Sequence, residues 1–202
     1  MKIAFIISTA TLLSTAGISE IIQMEKADFV AFEAEDFSVS EKDKNIAATV
    51  ISEWQVVPNA LAGNGNAIKA VTGGAPIPES STAYVTYKIQ FTTPGLYTLY
   101  FRALGATTAH RSAFHSDGFD VDPASVDFKL FNIETDKISD SFQWLKQRSA
   151  NRFAVQKPNQ TVEFTVKIRQ RFYQIDKFVF SLKPNLTGEE LDRLENSQVM
   201  TH

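Results

Sequence analysis

The sequence predicts an all-β chain, an antiparallel β-sandwich of the jelly-roll type. Three observations lead there: repeated period-2 alternation of apolar and polar residues, turn signals at short intervals, and almost no 3.6-residue periodicity. The 16 Phe supply large groups for the interior between two sheets.

Along the chain, the first strand candidate is 29–35, opening on Phe32-Glu33-Ala34-Glu35-Asp36. A second is 66–71, after the turn-forming Gly63-Asn64-Gly65-Asn66. Val85, Tyr87, Ile89 and Phe91 alternate with Tyr84, Thr86, Lys88 and Gln90. Tyr97, Leu99, Phe101 and Ala103 alternate with Thr98, Tyr100 and Arg102. Thr93-Pro94-Gly95 between these two runs reads as a hairpin turn. Residues 125–131 form a shorter candidate. Pro158-Asn159 turns the chain into Val162, Phe164, Val166 and Ile168, which alternate with Glu163, Thr165 and Lys167. The last candidate is 175–182, within Tyr173-Gln174-Ile175-Asp176-Lys177-Phe178-Val179-Phe180.

Two stretches depart from the pattern. Residues 105–119 read as a long polar loop, and a loop of this length in a compact domain usually carries function or motion. After Pro184, Thr187 and Glu190 have the spacing of a capping box, and Leu191 and Leu194 share a helical face. A short helix or tail outside the sandwich is expected over 184–202.

Residues 1–19 read as a secretory signal peptide: a basic Lys2, an apolar run through Ile18, and small residues at Ala16, Gly17 and Ser19. The run is too short for a membrane span, which needs about 20 apolar residues. The expected location is therefore secreted or periplasmic, with no membrane span after cleavage. The remaining length suits one domain, expected over 28–183. The chain has no Cys, so no disulfide framework is available. The formal charge is −3, and the only basic run, Lys167 to Arg171, alternates within a strand pattern. Nucleic acid is not an expected partner.

The chemistry-bearing candidates are few. The Gly-x-Ser-x-Gly, His-Glu-x-x-His and phosphate-loop patterns are missing, because Gly63-Asn64-Gly65-Asn66 precedes a strand rather than opening a helix. Glu33 and Glu35, two apart on a strand, point to one face and repel unless a cation joins them. Three readings stand side by side: a hard-cation site with Asp176 as third ligand if the first and last strands are neighbours, a glycosidase carboxylate pair, or a solvated pair. His110 and His115 with Asp117, Asp120 and Asp122 make a second polar cluster that matches no metal spacing. Trp54 and Trp144 serve either the core or a sugar platform.

Taken in order, these segments resemble carbohydrate-binding modules of families 6 and 35, among the galactose-binding-like β-sandwiches. The resemblance rests on Phe32-Glu33-Ala34-Glu35, Glu53-Trp54-Gln55-Val56-Val57 and Ala62-Gly63-Asn64-Gly65-Asn66-Ala67-Ile68. It continues through Pro94-Gly95-Leu96-Tyr97 with Tyr100-Phe101-Arg102, Asp117-Gly118-Phe119-Asp120-Val121, Gln143-Trp144, Phe153-Ala154-Val155, Val162-Glu163-Phe164-Thr165-Val166 and Ile175-Asp176-Lys177-Phe178-Val179-Phe180. It implies a structural calcium on Glu33, Glu35 and Asp176, a glycan or polysaccharide partner, and no catalysis. Where such modules often carry a loop Trp after the Arg102 position, this chain offers His110, Arg111, Phe114 and His115, with Trp54 in reserve. Arg111 in that set slightly favours an acidic sugar. The alternative is the same fold used for envelope structure or protein interaction without sugar.

Overall fold

The computed structural model describes residues 21–37, 54–71, 84–147 and 153–201. The expected signal peptide lies outside them. Among the described residues, thirteen strands make two sheets: β1 (Ile21–Met24), β2 (Phe29–Glu33), β3 (Trp54–Pro58), β4 (Asn66–Ala70), β5 (Tyr84–Phe91), β6 (Gly95–Leu104), β7 (Ser112–Ser116), β8 (Phe128–Asn132), β9 (Gln143–Lys146), β10 (Phe153–Val155), β11 (Gln160–Lys167), β12 (Gln174–Ser181) and β13 (Val199–Thr201). One sheet runs β13-β1-β5-β11-β7-β8. The other runs β10-β6-β12-β4-β3, with β2 also on β12 and β9 on β6. Pairing is antiparallel except for β1 beside β5. The antiparallel sandwich expected from alternation is the fold observed.

The core is aromatic. Phe32, Tyr87, Phe131, Phe164, Phe178 and Phe180 project inward from both sheets. Most of their rings pack tilted or edge-on, as with Phe164 and Phe180 at 5.1 Å and 82°, while Phe32–Phe180 and Tyr87–Phe164 are stacked at more than 6 Å. Such offsets keep ring edges against ring faces, the favourable quadrupole arrangement. The strands alternate as the sequence does, most plainly in β5, where Val85, Tyr87, Ile89 and Phe91 are buried and their neighbours half-buried.

The turn at Thr93-Pro94-Gly95 is a correction. It does not close a hairpin, because β5 and β6 belong to different sheets. Phe91 and Tyr97 meet across the core at 4.4 Å, so the chain must arch from one sheet to the other. The Glu25 carboxylate holds the arch by accepting from the Thr93 N–H at 2.8 Å and the Thr92 hydroxyl at 2.9 Å. Gly95 leaves room here for Leu182, whose Cδ2 would lie 2.5 Å from an added Cβ and would have to move aside.

The expected loop over 105–119 is also corrected. Its second half contains β7, which pairs with β8 and β11 and is buried throughout. Ser112 and Ser116 hid the strand by supplying hydroxyls where alternation expects apolar groups. Both are satisfied: Ser112 Oγ donates to Gln170 Oε1 at 2.7 Å, and Ser116 Oγ accepts from Thr165 N at 3.3 Å. True loop remains over 105–111.

The C-terminal segment forms the expected short helix, α1 (Gly188–Asp192), with the Thr187–Glu190 capping box in place. It packs on the outer face of the second sheet rather than standing away. Leu191 is buried against Ala31, Tyr100 and Val179, with Trp144 and Leu194 beside it. Beyond the helix, Ser197 and Ala31 exchange two hydrogen bonds, and β13 then pairs with β1 on the other sheet.

Candidate functional site

Two neighbouring clusters gather the polar residues with chemistry. The first is at the tip of the sandwich, where loop 105–111 meets residues 170–173. Gly105 fixes the loop, because a Cβ there would lie 2.4 Å from His110 O. Gln170 ties the two segments: its Oε1 accepts from Arg111 N at 3.0 Å and from Ser112 Oγ. Next to it stands Phe172, 41% exposed, with φ of 66°. A bulky aromatic in the left-handed region carries backbone strain of about 1–3 kcal/mol, and such strain persists only where surrounding structure imposes it. The Phe172 N–H donates to Ala70 O at 2.6 Å, which locks the turn to β4. Cations surround its ring. Lys69 Nζ is 5.1 Å and Arg171 Cζ 5.2 Å from the centroid, and the His110 ring meets it edge-on at 5.0 Å.

The five ligand residues expected from sequence separate. His110 is in this cluster. Arg111 is beside it, but its guanidinium donates to Ile133 O at 2.9 Å and Thr135 Oγ1 at 3.1 Å, so it braces the loop. Phe114 is buried on the outer face of β7, with the Arg169 guanidinium near its ring. His115 points the other way, fully buried 4.3 Å from the Phe131 ring. Its Nδ1 lies 2.8 Å from Ser116 O, and burial pushes the imidazole down to about 4, so it is a neutral core group. Trp54 is buried in the core on β3, paired with Ala70 directly behind the cluster. Phe172, Arg171 and Lys69 were missed. The signal available was an Arg-Phe pair at a turn position before the last strand, where Gly or Asn is the ordinary choice.

The second cluster holds the carboxylates. β2 and β12 are indeed neighbours, with Glu33 opposite Lys177. A register shift between Ile175 and Lys177 turns Asp176 inward, where it is fully buried. Asp176 is satisfied within the chain: Arg102 Nη1 donates to Oδ2 at 2.5 Å, and Gly63 N to Oδ1 at 2.9 Å. Glu33 accepts from Asn196 Nδ2 at 2.8 Å, with Lys177 Nζ at 3.7 Å. Glu35 accepts from Asn64 Nδ2 at 3.2 Å. The convergence of three carboxylates expected from sequence is not found: among the described residues no three acidic or His side chains converge as a metal cluster would. The two glutamates do fit a hard cation in one respect. Glu33 Oε2 and Glu35 Oε2 are both buried with no hydrogen-bond partner among the described residues. Burial, opposed by Asn196 and Lys177, raises the Glu33 carboxyl. Burial, then the charges of Glu33 and Asp36, pushes Glu35 up to about 7. Burial likewise raises Asp36.

No protein-family model and no curated protein sequence matches the chain. Solved structures do. The carbohydrate-binding module from Cellvibrio mixtus lichenase 5A, solved with cellotriose, is 12% identical, with a TM-score of 0.51 over 78% of this chain and 99% of that one. An exo-beta-1,3-galactanase from Phanerochaete chrysosporium, solved with beta-1,3-galactotriose, is 11% identical at 0.50, covering 76% of this chain and 29% of that one. A family 35 module from Clostridium thermocellum is 14% identical at 0.49, over 76% and 98% of the two chains. The chain thus has a fold like that of the carbohydrate-binding module from the lichenase. It spans the length of an isolated module and under a third of the galactanase.

The raised Glu35 carboxyl has a signed consequence. The folded chain holds that proton up to about pH 7, whereas the unfolded chain releases it near 4.5. Stability therefore falls as pH rises through this window, with Glu33 and Asp36 adding in the same direction. His115 acts oppositely: neutral in the fold, it costs stability as pH drops from 6.5 towards 4. Comparing the parent with Glu35→Gln cancels the His115 contribution. In metal-free urea titrations, the advantage of Glu35→Gln over the parent should grow by on the order of 1 kcal/mol between pH 5 and pH 8. A difference independent of pH would contradict the raised carboxyl.

Proposed function

We propose that this protein is an exported, non-catalytic carbohydrate-binding module whose ligand platform is the Phe172 cluster. The observation that carries the reading is the strained, exposed Phe172 with Lys69, Arg171 and His110 around its ring. Sugars present apolar C–H faces and a rim of hydroxyls, so their sites combine an aromatic ring with hydrogen-bonding side chains. Here two of those side chains, Lys69 and Arg171, are cationic, which favours a sugar bearing a carboxylate, with charge-assisted contacts that weaken as salt is added. The fold supports the reading, since the module from the lichenase was solved with cellotriose. The leader pattern at residues 1–19 supports export of the mature chain from the cytoplasm.

Phe172→Gly separates function from folding. Glycine adopts a φ of 66° without strain. The variant should be as stable as the parent, or more so by about 1 kcal/mol, while its affinity for an oligogalacturonate falls at least tenfold by calorimetry. Parent-like binding by a folded Phe172→Gly would remove Phe172 from the site.

The same proposal includes calcium at Glu33 and Glu35, supported by their unpartnered buried oxygens and by the resemblance. Asp176 contributes there only as a nearby negative charge while Arg102 holds it. Calcium would supply the positive charge these carboxylates lack, and folding would be linked to its binding. The melting temperature at pH 8 should drop in chelator and recover with added calcium, and Glu33→Gln/Glu35→Gln should lose that response. Identical melting curves in both buffers would mean that protons and Lys177 suffice.

A further inference from the structure

A second surface feature is not explained by the Phe172 platform. Along one side of the sandwich, β8 and β9 are neighbouring edges of the two sheets, and an open cleft of about 830 Å³ lies between them. The buried Phe101 and Leu145 are part of its lining. Trp144, Leu130 and Asn132 line it, and Lys129, Lys137 and Lys146 bring three ammonium groups against one carboxylate, Glu134. The volume lies within the range of small-ligand sites.

The indole is held in place. Trp144 Nε1 donates to Asp192 Oδ1 at 2.7 Å, and Gly188 lies against the ring, so α1 sets its orientation. Leu130, which lines the same cleft, is 46% exposed, an apolar group left in water on an edge strand. Each lysine has a polar partner among the described residues. Lys129 pairs with Asp117 at 3.4 Å, Lys137 with Glu134 at 3.1 Å, and Lys146 reaches Asn185 at 3.1 Å. The Lys137–Glu134 pair is largely exposed and so worth little, and an incoming anion competes with it readily, whereas Lys129 answers the buried Asp117 carboxylate. The cleft therefore offers an oriented aromatic group, an exposed apolar side chain, amide donors and acceptors, and a surplus of positive charge in one concave space.

We infer that the β8–β9 cleft is a second binding site for acidic oligosaccharides, distinct from the Phe172 platform. The inference rests on the carbohydrate reading of the protein but not on which residues form the tip site. A uronate chain suits the cleft: ring C–H faces against Trp144 and Leu130, carboxylates towards Lys137 and Lys146, and hydroxyls towards Asn132 and Gln147. An acidic peptide meets the same charges but makes poorer use of the indole and amides, and it becomes one arm of the test.

The test is a calorimetric titration of the mature full-length chain with tri-galacturonate, with maltotriose and hexaglutamate as controls. The parent should bind two equivalents of tri-galacturonate. Lys137→Glu/Lys146→Glu should weaken one of them at least tenfold, and Phe172→Gly should remove the other. Lys137 lies in an exposed single turn at 135–137, so Lys137→Glu alone serves as the variant whose folding is not at risk. It should weaken the same equivalent several-fold. One equivalent lost only in Phe172→Gly would overturn the cleft and leave the tip site standing. One equivalent lost only in the lysine variants would support the cleft and overturn the tip site. Equal affinity for maltotriose would overturn the acidic specificity, equal affinity for hexaglutamate would overturn the carbohydrate assignment, and no binding by the parent would overturn the inference altogether.

Discussion

The buried ion pair between Arg102 and Asp176 is the interaction on which the functional end of this sandwich depends. Asp176 is fully enclosed, and a lone carboxylate cannot remain charged there without a partner. Arg102 from the adjacent β6 supplies the charge, and the Gly63 N–H supplies a second hydrogen bond. The pair thereby joins three elements: β12 at its irregularity, β6, and the turn leading into β4. Arg102 also reaches Leu61 O at 3.3 Å and stacks near Phe142 at 5.4 Å, which fixes the turn further. Just upstream on β12, Gln174 accepts from Asn59 at 3.0 Å, and Tyr173 and Phe172 are bonded through their backbones to Ala70. The strained turn at Phe172 thus stands on a foundation that begins with one charge pair.

That arrangement also separates the acidic residues into two kinds. Asp176 is neutralised inside the protein. Glu33 and Glu35 each keep an oxygen that nothing described satisfies. The second sheet carries this imbalance between β2 and the C-terminal segment, where Asn196 and Lys177 answer only part of the charge. A proton completes it on one oxygen, and in the proposed reading calcium would answer the same deficit.

Sequence periodicity revealed most of the fold because the interior is built from alternating large apolar residues. β5, β6, β11 and β12 could each be read directly, and the neighbouring of β2 and β12, which the cation reading had only as a condition, is met. It failed where both faces of a strand are buried and hydroxyls take apolar positions, as in β7. It failed again at Thr93-Pro94-Gly95, since a turn signal does not say whether the chain pairs with itself or crosses to the other sheet. The tip site was only partly legible. His110 and Arg111 were visible as polar residues in a loop, but Arg111 is consumed in bracing. Phe114 and His115 were misplaced with the loop that proved to be a strand. Phe172 could not be distinguished from any core Phe, because its exposure is a property of backbone geometry rather than composition. The cleft beside Trp144 depends on two sheet edges meeting, which local sequence does not encode.

The most direct test of this construction is the unfolding free energy of Arg102→Met, set against the double variant Arg102→Met/Asp176→Asn. Removing the guanidinium alone strands a buried carboxylate, and a loss of about 3 kcal/mol or more is expected. Neutralising that carboxylate as well should restore at least half of the loss, because the cost comes mainly from the unpaired charge. A single variant destabilised by less than about 1 kcal/mol, or a double variant no better than the single, would contradict the central place given to the pair.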